Sequence, residues 1–521
     1  MCSYGPSEYG KPESWTGHDL MAICNEYLEG MRSYLRRVNN DEVRFLLVDK
    51  ELFESDLSKG ALGDFLTDKI LYPHRPEINA EYFDRLDKHV CKRIIREEVR
   101  NLIFEYGEMS RGLVAQPEFY ALARMRLRAR IFVPSMYEYL KLLDPAVRDK
   151  NLSMLRSSFM EAATSLRGET VELDDRNNII IPDAVVDRYI QNKSSGQVVN
   201  ILRQSQRAFY SYLTKGRSVY LSPDLLAREL YDPLRLQFDR NLTNREPEDP
   251  KKHLFIRTAS GLNPITERFS LEEIISKLRR GSMTIIPLAG VLNEVFLIST
   301  GKEKFVAKKF TDWHSFKWFT LNLVSIGTKL FSVSGKARMT NEYGINRYLA
   351  KRKLSVPEII HVNLNDRILL EDYVPGTSLD HPINEIVNQN ALSDSQVHLA
   401  ELFGETLAMI HQVGVSMGDS KPENFITRNE MIYAVDLEQA GKKGDHAWDI
   451  AEAIYYSGHY SRVARPTRGV ISLVEAFIRG YTKHGEKQEL RKAGGVKYMK
   501  VFSIWTPAPI LLELSNILRE T

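Results

Sequence analysis

The stretch Met417-Gly-Asp-Ser-Lys-Pro-Glu-Asn-Phe425, followed by Tyr433-Ala-Val-Asp-Leu-Glu438, decides the fold class of this sequence. Phosphoryl transfer from ATP requires a carboxylate that orients the attacking hydroxyl and accepts its proton, together with oxygen ligands that hold Mg²⁺ against the phosphates. Asp419, Asn424 and Asp436 supply these groups at suitable spacing. The two stretches therefore predict a phosphotransferase site, and a turn with solvated charges ahead of a buried strand is the alternative.

These residues resemble the catalytic and metal-binding loops of the protein kinase superfamily, in which Asp-x-Lys-Pro-Glu-Asn precedes a strand that ends in a magnesium-binding aspartate. The resemblance implies that Asp419 is the catalytic base and that Lys421 contacts the γ-phosphate. It implies that Asn424 and Asp436 are the metal ligands. We favour it over the plain turn because the motif residues agree in type and in order.

Upstream, three short strands are predicted over residues 283–288, 294–299 and 304–310. The last of them contains Phe305-Val-Ala-Lys-Lys-Phe310 and resembles the Val-Ala-Ile-Lys strand of kinases, with Lys308 at the position that contacts the α- and β-phosphates. Lys309 should face the opposite side of the sheet. A solvated lysine pair on an edge strand is the alternative.

Two further elements of this region are expected to complete the nucleotide site. Glu342, in a predicted helix, is the natural partner of Lys308, with an exposed charge paired along its own helix as the alternative. The loop Pro287-Leu-Ala-Gly-Val-Leu-Asn-Glu-Val-Phe296 is similar to the Leu-x-Gly-Gly-x-Thr-Asn loop of aminoglycoside phosphotransferases and choline kinases, with Gly290 and Asn293 matching. A plain β-turn is the alternative for this loop.

The stretch Leu369-Leu-Glu-Asp-Tyr-Val-Pro-Gly376 predicts a strand that runs into a Pro-Gly turn. It resembles the kinase hinge, where backbone groups contact adenine, which implies that Asp372 and Val374 bind the base. Asp449 matches the buried aspartate that holds the backbone of the catalytic loop in the superfamily. An ordinary carboxylate at the N-terminus of a helix is its alternative.

The resemblance covers residues 281–485 and is closest to the small atypical kinases: the KEOPS-associated kinase, RIO-type kinases and the aminoglycoside phosphotransferase group. Met417 stands where these families usually have histidine, so the hydrogen bond from that histidine to the metal-binding loop is missing. Only residues 437–448 separate Asp436 from Asp449, which leaves no room for a long activation segment. Control by phosphorylation of that segment is therefore not expected.

The function implied by the resemblance is an ATP-dependent phosphotransferase that uses Mg²⁺ or Mn²⁺ and transfers to a hydroxyl of a protein or a small molecule. The triplet Lys421-Pro-Glu423 favours an atypical protein serine/threonine kinase. The motif Asp436-Leu-Glu438 and the short segment after it resemble small-molecule kinases of the aminoglycoside phosphotransferase type, which is the first alternative. A low-turnover ATP-binding module that switches partners is the second.

The N-terminal half resembles no known family and is predicted to be mainly helical. Apolar residues recur at helical spacing over residues 15–38, 82–106 and 119–143. Two β-branched runs flank the polar turn Asp174-Asp-Arg-Asn-Asn178 and predict a short hairpin, and Ser222-Pro223 predicts a helix start.

The predicted architecture is α+β, with a bilobal protein kinase-like domain after a mainly helical N-terminal region. We expect a helical domain at 1–160 and a small mixed helix and hairpin region at 161–242. Residues 243–252 contain no apolar side chain and two prolines, which predicts an interdomain linker. The kinase-like domain then spans residues 253–521, with its core at 281–485 and a small β-rich lobe ahead of a helical lobe.

The composition excludes several classes of protein. Hydrophobic residues make up 43% of the 521 residues and charged residues 27%, so the chain is not one that stays disordered for lack of apolar side chains. The net charge of +3 does not favour nucleic acid or an anionic membrane. Cys2, Cys24 and Cys91 lack metal-binding spacing and favour a reducing compartment. No signal peptide and no membrane span are visible, so a cytoplasmic protein is expected.

One local cluster of arginines lies in the N-terminal half. We also expect any surface that binds a partner to lie in this half. On a helix the members of the cluster fall on two neighbouring faces, and we favour a solvated face over a nucleic-acid contact. The cluster consists of Arg124, Arg126, Arg128 and Arg130.

Overall fold

The computed structural model describes residues 1–10, 17–25, 31–38, 41–131, 135–191, 246–267, 273, 283–288, 293–300, 303–312 and 334–521. It divides into two compact units. The first comprises Met1–Glu105 and Leu113–Phe255, and the second comprises Tyr106–Gly112 and Ile256–Thr521. Gly290 and the helix start predicted at Ser222-Pro223 lie outside the described residues.

The first unit begins with a five-stranded sheet. Its strands are β1 (Cys2–Tyr4), β2 (His18–Cys24), β3 (Met31–Val38), β4 (Asp41–Asp49) and β5 (Arg75–Pro76), in the order β3-β4-β2-β1-β5. The helix predicted over residues 15–38 is therefore wrong. Both β2 and β3 pair along their full length with β4, whose apolar run makes it a central strand, and this ladder overrides the helical spacing of the apolar residues.

Helices form most of the rest of this unit. The prediction over residues 82–106 is confirmed, whereas that over 119–143 corresponds to two helices, α5 and α6. The helices are α1 (Pro6–Tyr9), α2 (Lys50–Lys59), α3 (Phe65–Leu71), α4 (Ala80–Tyr106), α5 (Glu118–Ile131), α6 (Ser135–Leu142), α7 (Arg148–Ser165) and α8 (Asp183–Gln191).

The predicted short hairpin is also present. After β6 (Leu113–Ala115), strands β7 (Glu172–Leu173) and β8 (Ile179–Ile180) pair antiparallel. Asp174 closes the turn between β7 and β8, because its Oδ1 accepts hydrogen bonds from the backbone N–H groups of Arg176 and Asn178 at 2.9 and 2.8 Å.

The basic cluster on α5 corrects our sequence interpretation. Arg124 is buried and forms ion pairs with Asp64 at 3.2 Å and with Glu98 at 3.5 Å, and Arg128 pairs with Asp68 at 2.8 Å. Buried, paired guanidinium groups are neither a solvated face nor available to nucleic acid. Arg126 donates to the sulfur of Met136. Arg130, the fourth arginine of the cluster, is exposed.

The described part of the predicted linker is also not a free segment. Residues 250–253 form a short 3-10 helix, and both Nη2 of Arg148 and Nε2 of His253 lie within 3.1 Å of the Glu248 carboxylate. Tyr139 donates to the Glu248 carbonyl at 2.9 Å. Hydrogen bonds from His253 and Arg148 lower the pKa of Glu248 to about 2. A stretch without apolar residues is anchored here by charge, which an apolar pattern cannot reveal.

The second unit starts with a β-rich lobe, as predicted. Strand β9 (Leu254–Thr258) carries the chain into it, and β10 (Gly261–Pro264) follows. The main sheet is antiparallel, in the order β11-β12-β13-β15-β14, and helix α9 (Gly335–Ala350) belongs to the same lobe. Its strands are β11 (Met283–Leu288), β12 (Glu294–Thr300), β13 (Glu303–Lys309), β14 (Ile359–Asn363) and β15 (Ile368–Asp372).

A helical lobe follows and completes a bilobal α+β architecture. Its core packs Phe403 edge-on against Phe425 and Phe477. The helices are α10 (Asp380–Val387), α11 (Asp394–Gln412), α12 (His446–His459), α13 (Arg468–Tyr481), α14 (Lys487–Ala493), α15 (Val496–Phe502) and α16 (Ala508–Glu520). The short strands are β16 (Thr377–Ser378), β17 (Val415–Ser416), β18 (Phe425–Arg428), β19 (Met431–Ala434) and β20 (Gly441–Lys442). Among the described residues, none of the helices combines the length and apolar composition needed to span a membrane.

Two glycines allow helices α11 and α13 to pack backbone against backbone. A Cβ on Gly404 would overlap the carbonyl of Phe477, and a Cβ on Gly480 would overlap the carbonyl of Glu401. Helix α11 leads through β17 into residues 417–425, the predicted catalytic loop, so this close contact helps to position that loop.

We predict that Gly480→Ala lowers the free energy of unfolding by about 1–3 kcal/mol, because the added methyl group forces two packed backbones apart. The matched control is Gly441→Ala, where a Cβ meets no atom within 4 Å. It should change stability by less than about 1 kcal/mol. Urea unfolding of both variants checks this, and equal effects would contradict the close packing.

Candidate active site

Lys308 on β13 is the centre of a buried cluster of charges. Its Nζ lies 2.9 Å from Oε1 of Glu342 on α9 and 3.3 Å from Oε2 of Glu371 on β15. All three residues are buried. The predicted contact between Lys308 and Glu342 is present, and Glu371 is a second partner that our sequence analysis did not identify.

The pKa values in this cluster follow from burial and mutual charge. Although burial lowers the pKa of Lys308, the carboxylates of Glu342, Glu371 and Asp436 raise it well above its ordinary value. Burial raises the pKa of Glu342 to about 7 despite the nearby ammonium. Burial likewise raises the pKa of Asp436 to about 6, which Lys308 opposes. The cluster around Lys308 therefore holds more carboxylates than ammonium groups.

Lys309 lies on the opposite face of the strand, as predicted. Its side chain is 46% exposed and pairs with Glu294 at 3.0 Å. Lys308 and Lys309 thus form a natural comparison of a buried and an exposed lysine at adjacent positions.

The catalytic loop is held by the carboxylate of Asp449, at the start of α12. Oδ2 of Asp449 accepts from the N–H of Met417, and Oδ1 accepts from the N–H of Gly418, both at 2.7 Å. The predicted role of Asp449 is confirmed in this geometry. His411 lies 3.0 Å from the same Oδ2, and the Met417 side chain is fully buried in the helical core.

A second carboxylate, Glu452, supports the next part of the loop. It accepts from the N–H of Ser420 at 2.7 Å, and the Ser420 hydroxyl donates to the Asp449 carbonyl at the same distance. Glu452 lies one helical turn after Asp449, so both follow from the register of α12. The loop backbone is therefore fixed by two side chains of one helix.

This support places Asp419, Lys421 and Asn424 together. Nζ of Lys421 lies 2.8 Å from Oδ1 of Asp419. Although burial lowers the pKa of Lys421, Asp419 and Glu452 raise it. Nδ2 of Asn424 donates to the Asp419 carbonyl at 2.9 Å, and the Asn424 carbonyl accepts from the N–H of Val435, next to Asp436. A backbone hydrogen bond thus links Asn424, one predicted metal ligand, to the residue before Asp436, the other.

Asp436 adopts a left-handed backbone conformation, with φ of 59°. Such a conformation is uncommon for residues other than glycine and is concentrated at functional sites. Asp436 lies two residues after the end of β19, so the strand ends slightly earlier than the sequence predicts.

Beyond Asp436, the side chain of Glu438 joins the two lobes. Its Oε2 accepts from Nη1 of Arg338 at 2.9 Å and from Nδ2 of Asn293 at 2.6 Å, while Arg338 also donates to Oδ1 of Asn293 at 2.7 Å. Burial and the nearby Asp436 charge together raise the pKa of Glu438 to about 7. Both ends of the Asn293 amide are therefore occupied by protein.

The predicted hinge continues from β15. The N–H of Asp372 donates to the carbonyl of Glu358 at 2.8 Å, and the N–H of Tyr373 donates to that of Lys304 at 3.1 Å. The N–H of Val374 has no partner among the residues that the structure describes. Among the described residues, the N–H of Val374 is therefore not used by the protein, in contrast to those of Asp372 and Tyr373.

Our sequence analysis missed four residues of this site: Arg338, Glu371, His411 and Glu452. Helical register could have indicated Glu452, three residues after Asp449. The other three come from separate elements, and only their pairing in the fold brings them to the site.

No protein-family model matches the chain, and no curated protein matches it either. Among solved structures, WaaP in complex with acyl carrier protein is similar at 11% identity and a TM-score of 0.30, over 48% of this chain and 93% of that one. A candidate aminoglycoside phosphotransferase from Ralstonia eutropha is similar at 10% identity and 0.28, over 48% and 99%. A microcompartment-associated aminopropanol kinase is similar at 11% identity and 0.26, over 48% and 93%.

We predict that Arg338→Met lowers the free energy of unfolding by about 3–5 kcal/mol, because it leaves the Glu438 carboxylate buried without its cation. The control is Arg367→Met, which breaks a 2.7 Å pair with Asp312 in the same lobe. Both partners there are more than one-third exposed, so we expect a loss of about 1 kcal/mol or less. Chemical unfolding distinguishes the two variants, and equal losses would contradict the buried bridge.

Proposed function

We propose that this protein is an ATP-dependent phosphotransferase. The observation that supports the proposal most strongly is the convergence of Lys308 from the β-rich lobe with Asp436 and Asp419 from the helical lobe. These groups influence one another electrostatically, since Lys308 lowers the pKa of Asp436 whereas burial and the Asp419 charge raise it. A buried ammonium close to carboxylates suits a phosphate chain that arrives with a cation.

In the proposed reaction, Asp419 orients the acceptor hydroxyl and accepts its proton. Lys421, paired with Asp419, neutralises charge on the transferred phosphate. Because Asp449 and Glu452 hold the loop backbone, these two side chains require little reorganisation during the reaction.

The residues present fit a divalent metal ion. Since Nδ2 of Asn424 is used by the Asp419 carbonyl, Oδ1 is the atom left for a ligand, and Asp436 supplies a carboxylate. Within the described part of the chain, no group of three or more His, Cys, Asp or Glu side chains could hold a metal by itself. This agrees with Mg²⁺, which is commonly bound by one or two protein ligands together with substrate phosphates. When bound, the ion would neutralise charge that develops on the phosphates.

The nucleotide would lie between the two lobes. Lys308, held by Glu342, contacts the phosphates in this proposal, and the Val374 N–H and Asp372 carbonyl contact the base. Asn293 acts indirectly, through its hydrogen bonds with Glu438 and Arg338.

For the acceptor, we favour a protein serine or threonine side chain. This choice rests on Lys421-Pro-Glu423, where exposed Glu423 accepts a hydrogen bond from Tyr460 at 2.7 Å beside the catalytic loop. A small-molecule hydroxyl is the second candidate. It is favoured by β20, which pairs with β17 directly after Asp436-Leu-Glu438 and leaves a short segment before α12.

We predict that Lys308→Met reduces phosphoryl transfer by about 10²-fold or more, because the proposed phosphate contact is lost. Lys309→Met is the control, since it removes an exposed lysine at the adjacent position and should keep activity within about twofold. Transfer from γ-labelled ATP to a generic protein acceptor and to a metabolite pool measures both variants and also identifies the acceptor class. Loss in Lys309→Met with retention in Lys308→Met would refute the assignment.

Substitution of Asp419 and of Asp436 should distinguish an effect on the transfer step from an effect on nucleotide binding. Asp419→Asn should lower the single-turnover rate by about 10²–10⁴-fold with little change in MgATP affinity, because a base acts on the transfer step. Asp436→Asn should instead weaken metal-dependent nucleotide binding, measured by calorimetry with and without Mg²⁺. An Asp419→Asn variant that transfers at the wild-type rate would favour the low-turnover nucleotide switch.

A further inference from the structure

Lys308 is held by two carboxylates that come from different kinds of element. Glu342 lies on helix α9, which packs on the sheet through side chains. Glu371 lies on β15, which is hydrogen-bonded to the strand of Lys308 itself. The ammonium group is therefore shared between a helix and its own sheet.

The strand register fixes Glu371 beside Lys308. Val306 is opposite Glu371 and Lys308 is opposite Leu369, so Lys308 and Glu371 are diagonal neighbours on one face of the antiparallel pair. Long side chains span this diagonal, in agreement with the 3.3 Å between Nζ and Oε2. The contact depends on backbone hydrogen bonds and not on the placement of α9.

A second carboxylate at this position is unusual on energetic grounds. Glu371 is only 2% exposed, and its Oε1 has no hydrogen-bond partner among the described residues. Burying a charge with one oxygen unpartnered costs free energy, so packing alone does not account for a glutamate here.

The position of Glu371 also links two parts of the proposed nucleotide site. Three residues after Glu371, the same chain segment reaches Val374, whose N–H is available to a base. Strand β15 thus carries Glu371, which supports the proposed phosphate contact, and leads into Val374, which makes the proposed base contact.

We propose that Glu371 is a positioning residue for Lys308, which fixes the ammonium group to the sheet so that nucleotide binding does not depend on Glu342 alone. This inference rests on the proposed function. Lysine has three N–H donors, so two carboxylates leave one for a phosphate oxygen.

The kinetic test compares the wild type with Glu342→Gln, Glu371→Gln and the double variant in the full-length protein. Because each single variant keeps one carboxylate, we expect the KM for MgATP to rise about fivefold in each, with kcat within about twofold. The double variant should raise KM about 100-fold or more, which exceeds the product of the single effects. Glu371→Asp should recover part of the loss. Glu161→Gln, which removes the exposed partner of Lys88 in the first unit, is the control and should behave like the wild type.

A stability test needs no nucleotide. Lys308→Met should lower the unfolding temperature, since it leaves buried carboxylates without their cation. Adding Glu371→Met to that variant should restore part of the lost temperature, whereas Glu371→Met alone should lower it. Additive effects of Lys308→Met and Glu371→Met would show that the two side chains are not coupled and would overturn the inference.

The outcomes separate the inference from the proposed function. If Glu371→Gln binds MgATP like the wild type and Glu342→Gln alone loses binding, Glu371 has no positioning role while the phosphotransferase proposal stands. If the wild type binds no nucleotide and the stability effects are still coupled, the proposed function and the positioning role fail, and the pair is structural only.

Discussion

Burial of one ammonium group among carboxylates from several elements is the interaction on which the second unit depends. Lys308 contacts Glu342 and Glu371 within its own lobe, and its charge reaches Asp436 in the other lobe. Each carboxylate is costly to bury alone, and the ammonium offsets that cost only while β13, β15 and α9 keep their register. The register of β13, β15 and α9 that stabilises the fold therefore also assembles the proposed phosphate site.

In the helical lobe, carboxylate side chains hold backbone N–H groups in place. Asp449 and Glu452 on α12 hold the backbone N–H groups of Met417, Gly418 and Ser420 in the predicted catalytic loop. Helix α11 approaches α13 closely because both carry glycine at the contact. Met417 is packed in the core, so support for the loop comes from Asp449 and not from a side chain at position 417. Although Met417 stands where the kinase pattern has histidine, Asp449 still holds the backbone of the loop.

The sequence predicts those features that depend on local pattern. The strand around Lys308, the hairpin at Asp174 and the motif from Asp419 to Asp436 each combine residue type with spacing in one continuous segment. The strands within residues 15–38 could not be predicted in this way, because their helical spacing is overridden by pairing with β4. Burial of Arg124, the anchoring of Glu248 and the contact of Glu371 with Lys308 depend on partners distant in sequence. Such contacts leave no periodic signal.

The central claim is that Lys308 and Asp436 face one nucleotide across the two lobes. Hydrogen–deuterium exchange of the full-length protein, with and without saturating MgATP, tests it most directly. The account predicts that the nucleotide slows exchange at residues 303–309, at Val374 and at residues 417–438 together, because one ligand contacts all three segments. Slowed exchange confined to one lobe, or to the first unit alone, would contradict it.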